Sequence, residues 1–247
     1  MNKLIKNKFL DIHKFPKEWG IIVFPISMTR IANALSPRAC IDALDFFINK
    51  IQVNQVGAQF IYSEGLYMNF EQDAYETKNK FAQTAVSHMG GVRNLVDKNY
   101  RKFQINAAFS FESWFQMYLS HKDFFKAYKA IRDLYNADPE FQKYVAKDSK
   151  EQGKELTNRQ VSFFLEEHTF VYLLLNKELR LHNDFVNGRE QWILFAYPGK
   201  PPRGQIYLFQ KDPLNLNVAS NPYKGQYDLI AKKFIDYQEV DLNNFQY

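Results

Sequence analysis

The stretch Gly20-Ile21-Ile22-Val23-Phe24-Pro25-Ile26 has no charged or polar side chain and stops at Ser27. A short apolar run of this kind reads as a buried strand. In open parallel sheets, ligands sit at the carboxyl ends of the strands. Ser27 is therefore a candidate nucleophile delivered to a sheet edge. The competing reading is a polar residue that merely ends a strand and starts a loop.

The rest of the first half alternates strand and helix signals. Ser36-Pro37 has the form of an N-cap followed by proline at the first helical position. The helix it opens carries Ala39, Leu44, Phe47, Ile48 and Ile51 on one side. A second strand is predicted at about 58–63, a long helix at about 71–99 and a short third strand near 103–107, with Gly90-Gly91 a possible break in the helix. Strand, helix, strand, helix, strand is the signature of a doubly wound α/β fold: a mainly parallel sheet with helices on both faces. From 111 to about 150 the pattern is one of consecutive short helices, with starts at Asp123 and at Asp138-Pro139. Thr157-Asn158-Arg159-Gln160 has the capping-box form and opens a helix to about 175. Strands are expected at 191–196 and 205–209, a loop at 211–222 and a last helix over 223–235. No repeat, low-complexity tract or linker divides the chain, so residues 1–247 are expected to form a single domain.

Composition narrows the chemistry. One cysteine, Cys40, excludes a disulfide framework and every multi-cysteine zinc pattern. His13, His88, His121, His168 and His182 are scattered without a pair at metal-ligand spacing, so no metal is expected. No stretch approaches the length of a membrane span, and the basic segment Met1–Lys8 is not followed by an apolar signal core, so a cytoplasmic protein is expected. The net charge of +5 biases the chain toward a polyanionic partner only if the charge is clustered. Gly-x-Ser-x-Gly around the serine, Gly-x-Gly-x-x-Gly after the first strand and a Walker loop are all absent.

Two further side chains stand out. On the helix opening at 158, Glu167 follows Phe163 by four residues and precedes Phe170, Val171 and Leu174 by three, four and seven. That spacing sets a carboxylate in an apolar stripe, where its pKa rises toward neutrality, or at the stripe's margin with its head in water. Glu166 shares a face with Arg159 and Ser162 and reads as the solvated neighbour. Tyr197 closes the strand Trp192–Ala196 and precedes Pro198, which pushes it to extended geometry. Aromatic core packing is the alternative for it. Lys78, Lys80, Arg93, Lys98, Arg101 and Lys102 cluster between 77 and 102. On a continuous helix Lys80, Lys98, Arg101 and Lys102 fall within an arc of about 100°, either a phosphate-binding stripe or a solvated face.

With these residues in view, the chain from about residue 18 to 210 resembles a tRNA-dependent cyclodipeptide synthase. Members of that family have a strand ending in the nucleophilic serine, a basic helix after the second strand, a helix carrying Tyr-x-x-x-Glu-x-Pro and a strand ending in tyrosine. The resemblance maps the serine to Ser27, the glutamate to Glu167 and the tyrosine to Tyr197. Arg30, with Pro198 after the tyrosine, resembles the subfamily that lacks Asn three residues after the serine and carries Tyr-Pro. Asp138-Pro139-Glu140-Phe141 resembles the family's helical region. The resemblance implies a Rossmann-like fold akin to the catalytic domain of class I aminoacyl-tRNA synthetases, with no cofactor. It also implies a ping-pong reaction. Ser27 takes the first aminoacyl group and a second aminoacyl-tRNA supplies the attacking amine. Glu167 holds the substrate ammonium and relays a proton, and Tyr197 assists closure of the diketopiperazine. Val23, Pro25, Phe60, Phe163 and Pro198 are its implied substrate-binding residues, and the basic cluster holds tRNA, with a monomer as the default.

The chain departs from the family at several positions. Phe163 stands for the motif tyrosine, Thr169 for its proline and Pro25 for a glycine. Phe124 or Phe125 falls where a further tyrosine is expected, with Tyr128 one turn on. These changes motivate a second expectation, a catalytically altered or inactive tRNA-binding homologue. An unrelated small-molecule enzyme on a doubly wound sheet is a third.

Overall fold

The computed structural model describes residues 20–28, 31, 34–50, 56–63, 74–99, 107–114, 116–117, 124–179, 192–216 and 221–245. The apolar run forms strand β1 (Gly20–Ile26), buried along its whole length. Helix α1 (Pro37–Lys50) follows, then β2 (Val56–Tyr62), α2 (Ala74–Lys98) and β3 (Ala107–Ser113). Helices α3 (Phe124–Ala137), α4 (Pro139–Glu151) and α5 (Asn158–Leu175) come next. The chain ends with β4 (Trp192–Tyr197), α6 (Arg203–Lys211), β5 (Gly225–Asp228) and β6 (Lys233–Asp236). The strands form one sheet in the order β3-β2-β1-β4-β5-β6, parallel except for the antiparallel edge pair β5–β6. This is the expected mixed α/β domain with a central, mostly parallel sheet.

Alternation along β1 divides the core. Ile21 and Val23 face a layer made by α3, α4, α5 and α6, while Ile22, Phe24 and Ile26 face α1 and α2. Both faces of β1 are covered, which is why the run carries no polar residue. Local signals place several helix starts. The Asp138 carboxylate accepts from the backbone N–H groups of Glu140 and Phe141 at 2.9 and 3.3 Å. The Thr157 hydroxyl accepts from Gln160 N–H at 3.1 Å. Each such cap stabilises its helix by about 1 kcal/mol.

Five sequence expectations need correction. The segment 205–209 is helical, inside α6, whose first N–H groups at Arg203 and Gly204 are bound by the distant Asp148 carboxylate at 2.9 and 2.8 Å. The segment 223–235 holds strands β5 and β6 instead of a helix. The third strand begins at Ala107 and runs to Ser113, so 111–113 are strand, while 103–106 lie outside the described residues. Gly90-Gly91 does not break α2: a Cβ at Gly91 would lie 2.8 Å from Pro37 Cγ, so the glycine lets α1 and α2 approach. Glu166 is not a fully solvated residue; it is half-buried and hydrogen-bonded to Trp114. The expected helix start at Asp123 lies outside the described residues.

β1 and β4 meet at their first residues, Gly20 against Trp192. A Cβ on Gly20 would fall 1.9 Å from Cε2 of the fully buried Trp192 indole. Gly20→Ala is therefore expected to destabilise the fold by about 1–3 kcal/mol through overpacking. Chemical denaturation checks this, and an unchanged midpoint would refute it.

Candidate functional site

Strand order reverses between β1 and β4. The chain leaves β1 toward β2 on one side, and β4 joins it on the other. Such a switch point is where a doubly wound sheet opens a crevice. Pro25 widens it. Ser63 N–H and its hydroxyl both donate to the Ile26 carbonyl, at 3.1 and 3.0 Å, so the Ile26 backbone faces β2. Pro25, one residue earlier, faces the β4 side, where it has no N–H to offer. Pairing between β1 and β4 accordingly ends at Val23–Phe195, two residues before Pro25.

A cavity of about 440 Å³ occupies this crevice. Ser27, Phe163, Glu167, Tyr197 and Pro198 all border it, so three sequence-distant candidates and two of the expected substrate-binding residues converge. Ser27 is buried and fixed by the strand before it. Glu167 projects from α5, one turn after Phe163. Tyr197 ends β4, with its ring stacked at 6.2 Å on Phe195, another cavity residue. The turn after Tyr197 is held by β5 and the residue that follows it. Leu229 N–H donates to the Tyr197 carbonyl at 3.1 Å, Gly199 N–H to Asp228 Oδ1 at 2.8 Å, and Gln226 Nε2 to the Gly199 carbonyl at 2.6 Å. Gly199 takes a φ of 87°, a conformation that favours glycine.

Other sequence candidates lie elsewhere. Val23 is in the core beneath the cavity, and Pro25 acts at the end of the β1–β4 ladder. Phe60 is not brought to the cavity. It is fully buried on the opposite face of the sheet, stacked between Phe24 and Phe111 at 5.2 and 5.3 Å. Lys80 and Lys98, eighteen residues or five turns apart, are exposed on one face of α2. Arg93 lies on another face and reaches over Phe111 at 5.2 Å. The Lys78 side chain, Arg30, Arg101 and Lys102 lie outside the described residues.

The cavity also takes in residues with no local signal. Glu151, Gln152 and Lys154 come from the end of α4 and the loop after it, Gln205 from α6 and Gln226 from β5. Lys200 alone was within reach of the sequence, three residues past Tyr197. Lys154 Nζ stands 5.2 Å from the Phe163 ring centroid.

Among the described residues no histidine borders the cavity. His88 instead ties α2 to β2: its Nε2 donates to the Leu35 carbonyl at 2.8 Å, leaving Nδ1 to accept from Tyr62 hydroxyl at 3.0 Å. His168 is fully buried and its pKa is lowered to about 3 by burial, so it is neutral. Burial pushes the Cys40 thiol up to about 12, which leaves it unreactive. Among the described residues no cluster of His, Cys, Asp and Glu could hold a metal ion, and no helix is long and apolar enough to cross a membrane.

No protein-family model matches the chain, and no curated protein does. Solved structures do. A cyclodipeptide synthase from Fluoribacter dumoffii superposes with a TM-score of 0.55 at 11% identity, over 87% of this chain and 92% of that one. One from Staphylococcus haemolyticus gives 0.52 at 16% identity, over 87% and 90%. At these identities the likeness is one of fold.

Glu166, beside the site, has a carboxyl raised by burial to about 7, with Trp114 Nε1 donating to it at 3.4 Å. A folded-state pKa above the ordinary value of 4.5 makes its stabilising contribution complete below pH 4.5 and lost as pH rises through 7. Glu166→Gln is expected to be more stable than the parent above pH 7, with the gap closing toward pH 4.5. Melting temperatures across that range test this, and a gap independent of pH would contradict it.

Proposed function

We propose that the chain is a tRNA-dependent cyclodipeptide synthase, an aminoacyltransferase that joins the amino acids of two aminoacyl-tRNAs into a 2,5-diketopiperazine. The observation that carries this reading is the meeting of Ser27, Glu167 and Tyr197 in one cavity at the β1–β4 switch point. The fold shared with solved cyclodipeptide synthases supports it.

The chemistry follows a ping-pong course. Ser27 Oγ attacks the ester carbonyl of the first aminoacyl-tRNA, forming an aminoacyl ester on the enzyme and releasing tRNA with its terminal hydroxyl. An amine-on-ester attack between that group and the second aminoacyl-tRNA makes the first amide. A second such attack closes the ring, so that both tRNAs and the Ser27 hydroxyl are regenerated. Glu167 holds the substrate ammonium and takes up its proton before attack. Tyr197 positions the dipeptide for closure. The aromatic wall of Phe163 and Phe195, with Pro198, packs on the aminoacyl groups. Val23 and Pro25 contribute through the backbone of β1, and Phe60 through the packing behind it. Lys78, Lys80, Arg93, Lys98, Arg101 and Lys102 hold the tRNA by its phosphates, which gives affinity without sequence reading. Residues 1–247 act as one domain, a cytoplasmic monomer of the subfamily with the Tyr197-Pro198 step and without Asn at position 30.

Phe163 favours a second reading. It stands at the cavity where the family's motif has a hydroxyl-bearing tyrosine, so a tRNA-binding homologue with altered or lost catalysis is the alternative.

Cells expressing the chain should accumulate a cyclic dipeptide, and Ser27→Ala should lower its yield by more than about 10³-fold. Mass analysis of extracts and of the intact protein, for an aminoacyl adduct on Ser27, decides it. Absence of both would exclude the synthase, while tRNA binding that survives Ser27→Ala without any product would favour the homologue. Reversing charge at Lys80 and Lys98 together should weaken charged-tRNA binding and reduce its salt slope by about one for each phosphate that a lysine no longer neutralises. An unchanged slope would remove α2 from the interface.

A further inference from the structure

Two buried carboxamides border the same cavity, and neither has a part in the reaction just described. Gln205 is 2% and Gln226 is 1% exposed. Gln226 Nε2 donates to the carbonyl of Gly199 at 2.6 Å and lies 3.4 Å from that of Tyr197. Carbonyls only accept, so this contact fixes which end of the amide is nitrogen and turns Oε1 away from the turn. Gln205 Nε2 donates to the hydroxyl of Tyr237, itself fully buried. Neither Oε1 receives a hydrogen bond from the described residues, and neither is sealed from the cavity's solvent. A desolvated acceptor left unmet costs about 1–3 kcal/mol, so both favour a ligand that brings donors.

We propose that Gln205 and Gln226 form an acceptor pair that receives the side chain of one of the two amino acids, and that this side chain is uncharged and carries a hydrogen-bond donor, a hydroxyl or a carboxamide. The proposal rests on the synthase reading and adds a substrate class to it. Charge selects against the alternatives. Lys154 and Lys200 share the cavity wall with Glu151 and Glu167, so a charged side chain of either sign meets repulsion as well as attraction and must still be desolvated. An aliphatic side chain fits the aromatic wall but leaves both oxygens desolvated and unpaired.

Isosteric pairs isolate the donor. The purified full-length chain is given a full set of charged tRNAs in which serine and alanine, threonine and valine, tyrosine and phenylalanine, or asparagine and leucine are present in equal amounts, and the cyclic dipeptides are quantified by mass spectrometry. In at least one pair the donor-bearing member should be enriched about tenfold or more. Gln205→Leu should bring that ratio toward one, while Gln205→Glu, which keeps an acceptor, should preserve it. Products formed with a ratio near one in every pair, or with the apolar member favoured, overturn the proposal, even if the leucine variant fails to fold. A ratio that Gln205→Leu does not move, in a folded variant, also overturns it. No cyclic dipeptide from the full set of charged tRNAs overturns the synthase reading itself, and the proposal falls with it.

Discussion

The backbone of β1 is the reference for everything at the site. It is hydrogen-bonded on both edges, to β2 over Gly20–Ile26 and to β4 over Gly20–Val23, and is covered on both faces. Such a strand cannot shift by one residue without turning its whole side-chain set to the wrong face. Ser27 inherits that rigidity, because Ser63 on the neighbouring segment grips the carbonyl immediately before it. The crevice beside it depends on the unequal length of the two ladders. Were β4 paired as far along β1 as β2 is, the space next to Ser27 would be filled by a strand. Proline in a central strand ordinarily argues against the assignment. Here it stands where pairing must stop.

Much of this half of the structure is legible in the sequence, because continuous apolar runs and helix caps are local signals. β1 and β4, the caps at Asp138 and Thr157, and the helix from 158 to 175 follow from residues next to one another. The order of Ser27, Glu167 and Tyr197 along the chain also draws the three together without any geometry. What stays hidden is set by distant partners. Ile206-Tyr207-Leu208-Phe209 is buried on every side and shows no helical period, so a short run of that kind fits strand and helix equally. Its helix is capped from Asp148, more than fifty residues away in sequence. The partner of Glu166 is Trp114, which no spacing rule connects to α5.

β5 and β6 escape the sequence pattern for a different reason. Their buried residues include Gln226, Asp228 and Asp236, which a hydrophobic pattern reads as surface. Gln226 and Asp228 are inside as partners of the turn after Tyr197. Asp228 accepts the Gly199 N–H and Gln226 satisfies the Gly199 carbonyl. Polar burial of this kind is invisible in sequence but costly to leave unmet, so the turn and the edge strand require one another. The local order of Tyr197 is thus produced by a strand that follows it by about thirty residues.

The titratable groups that the described residues bring to the cavity bear on which chemistry the site suits. An unactivated serine hydroxyl needs either a strong base or an electrophile that is already reactive. Both histidines among the described residues are committed elsewhere: His88 bridges Leu35 and Tyr62, and His168 is sealed in the core as a neutral ring. The cavity offers two carboxylates, a phenol and two lysines around Ser27. That set is poorly equipped to cleave an amide, whose leaving group must be protonated by a strong general acid. It is better matched to an aminoacyl ester, which departs as an alkoxide of moderate basicity and whose ammonium needs a carboxylate to hold it. In the proposed reaction Glu167 would act on the amine, where a carboxylate suffices, and the energy for acyl transfer would come from the ester that the substrate carries in.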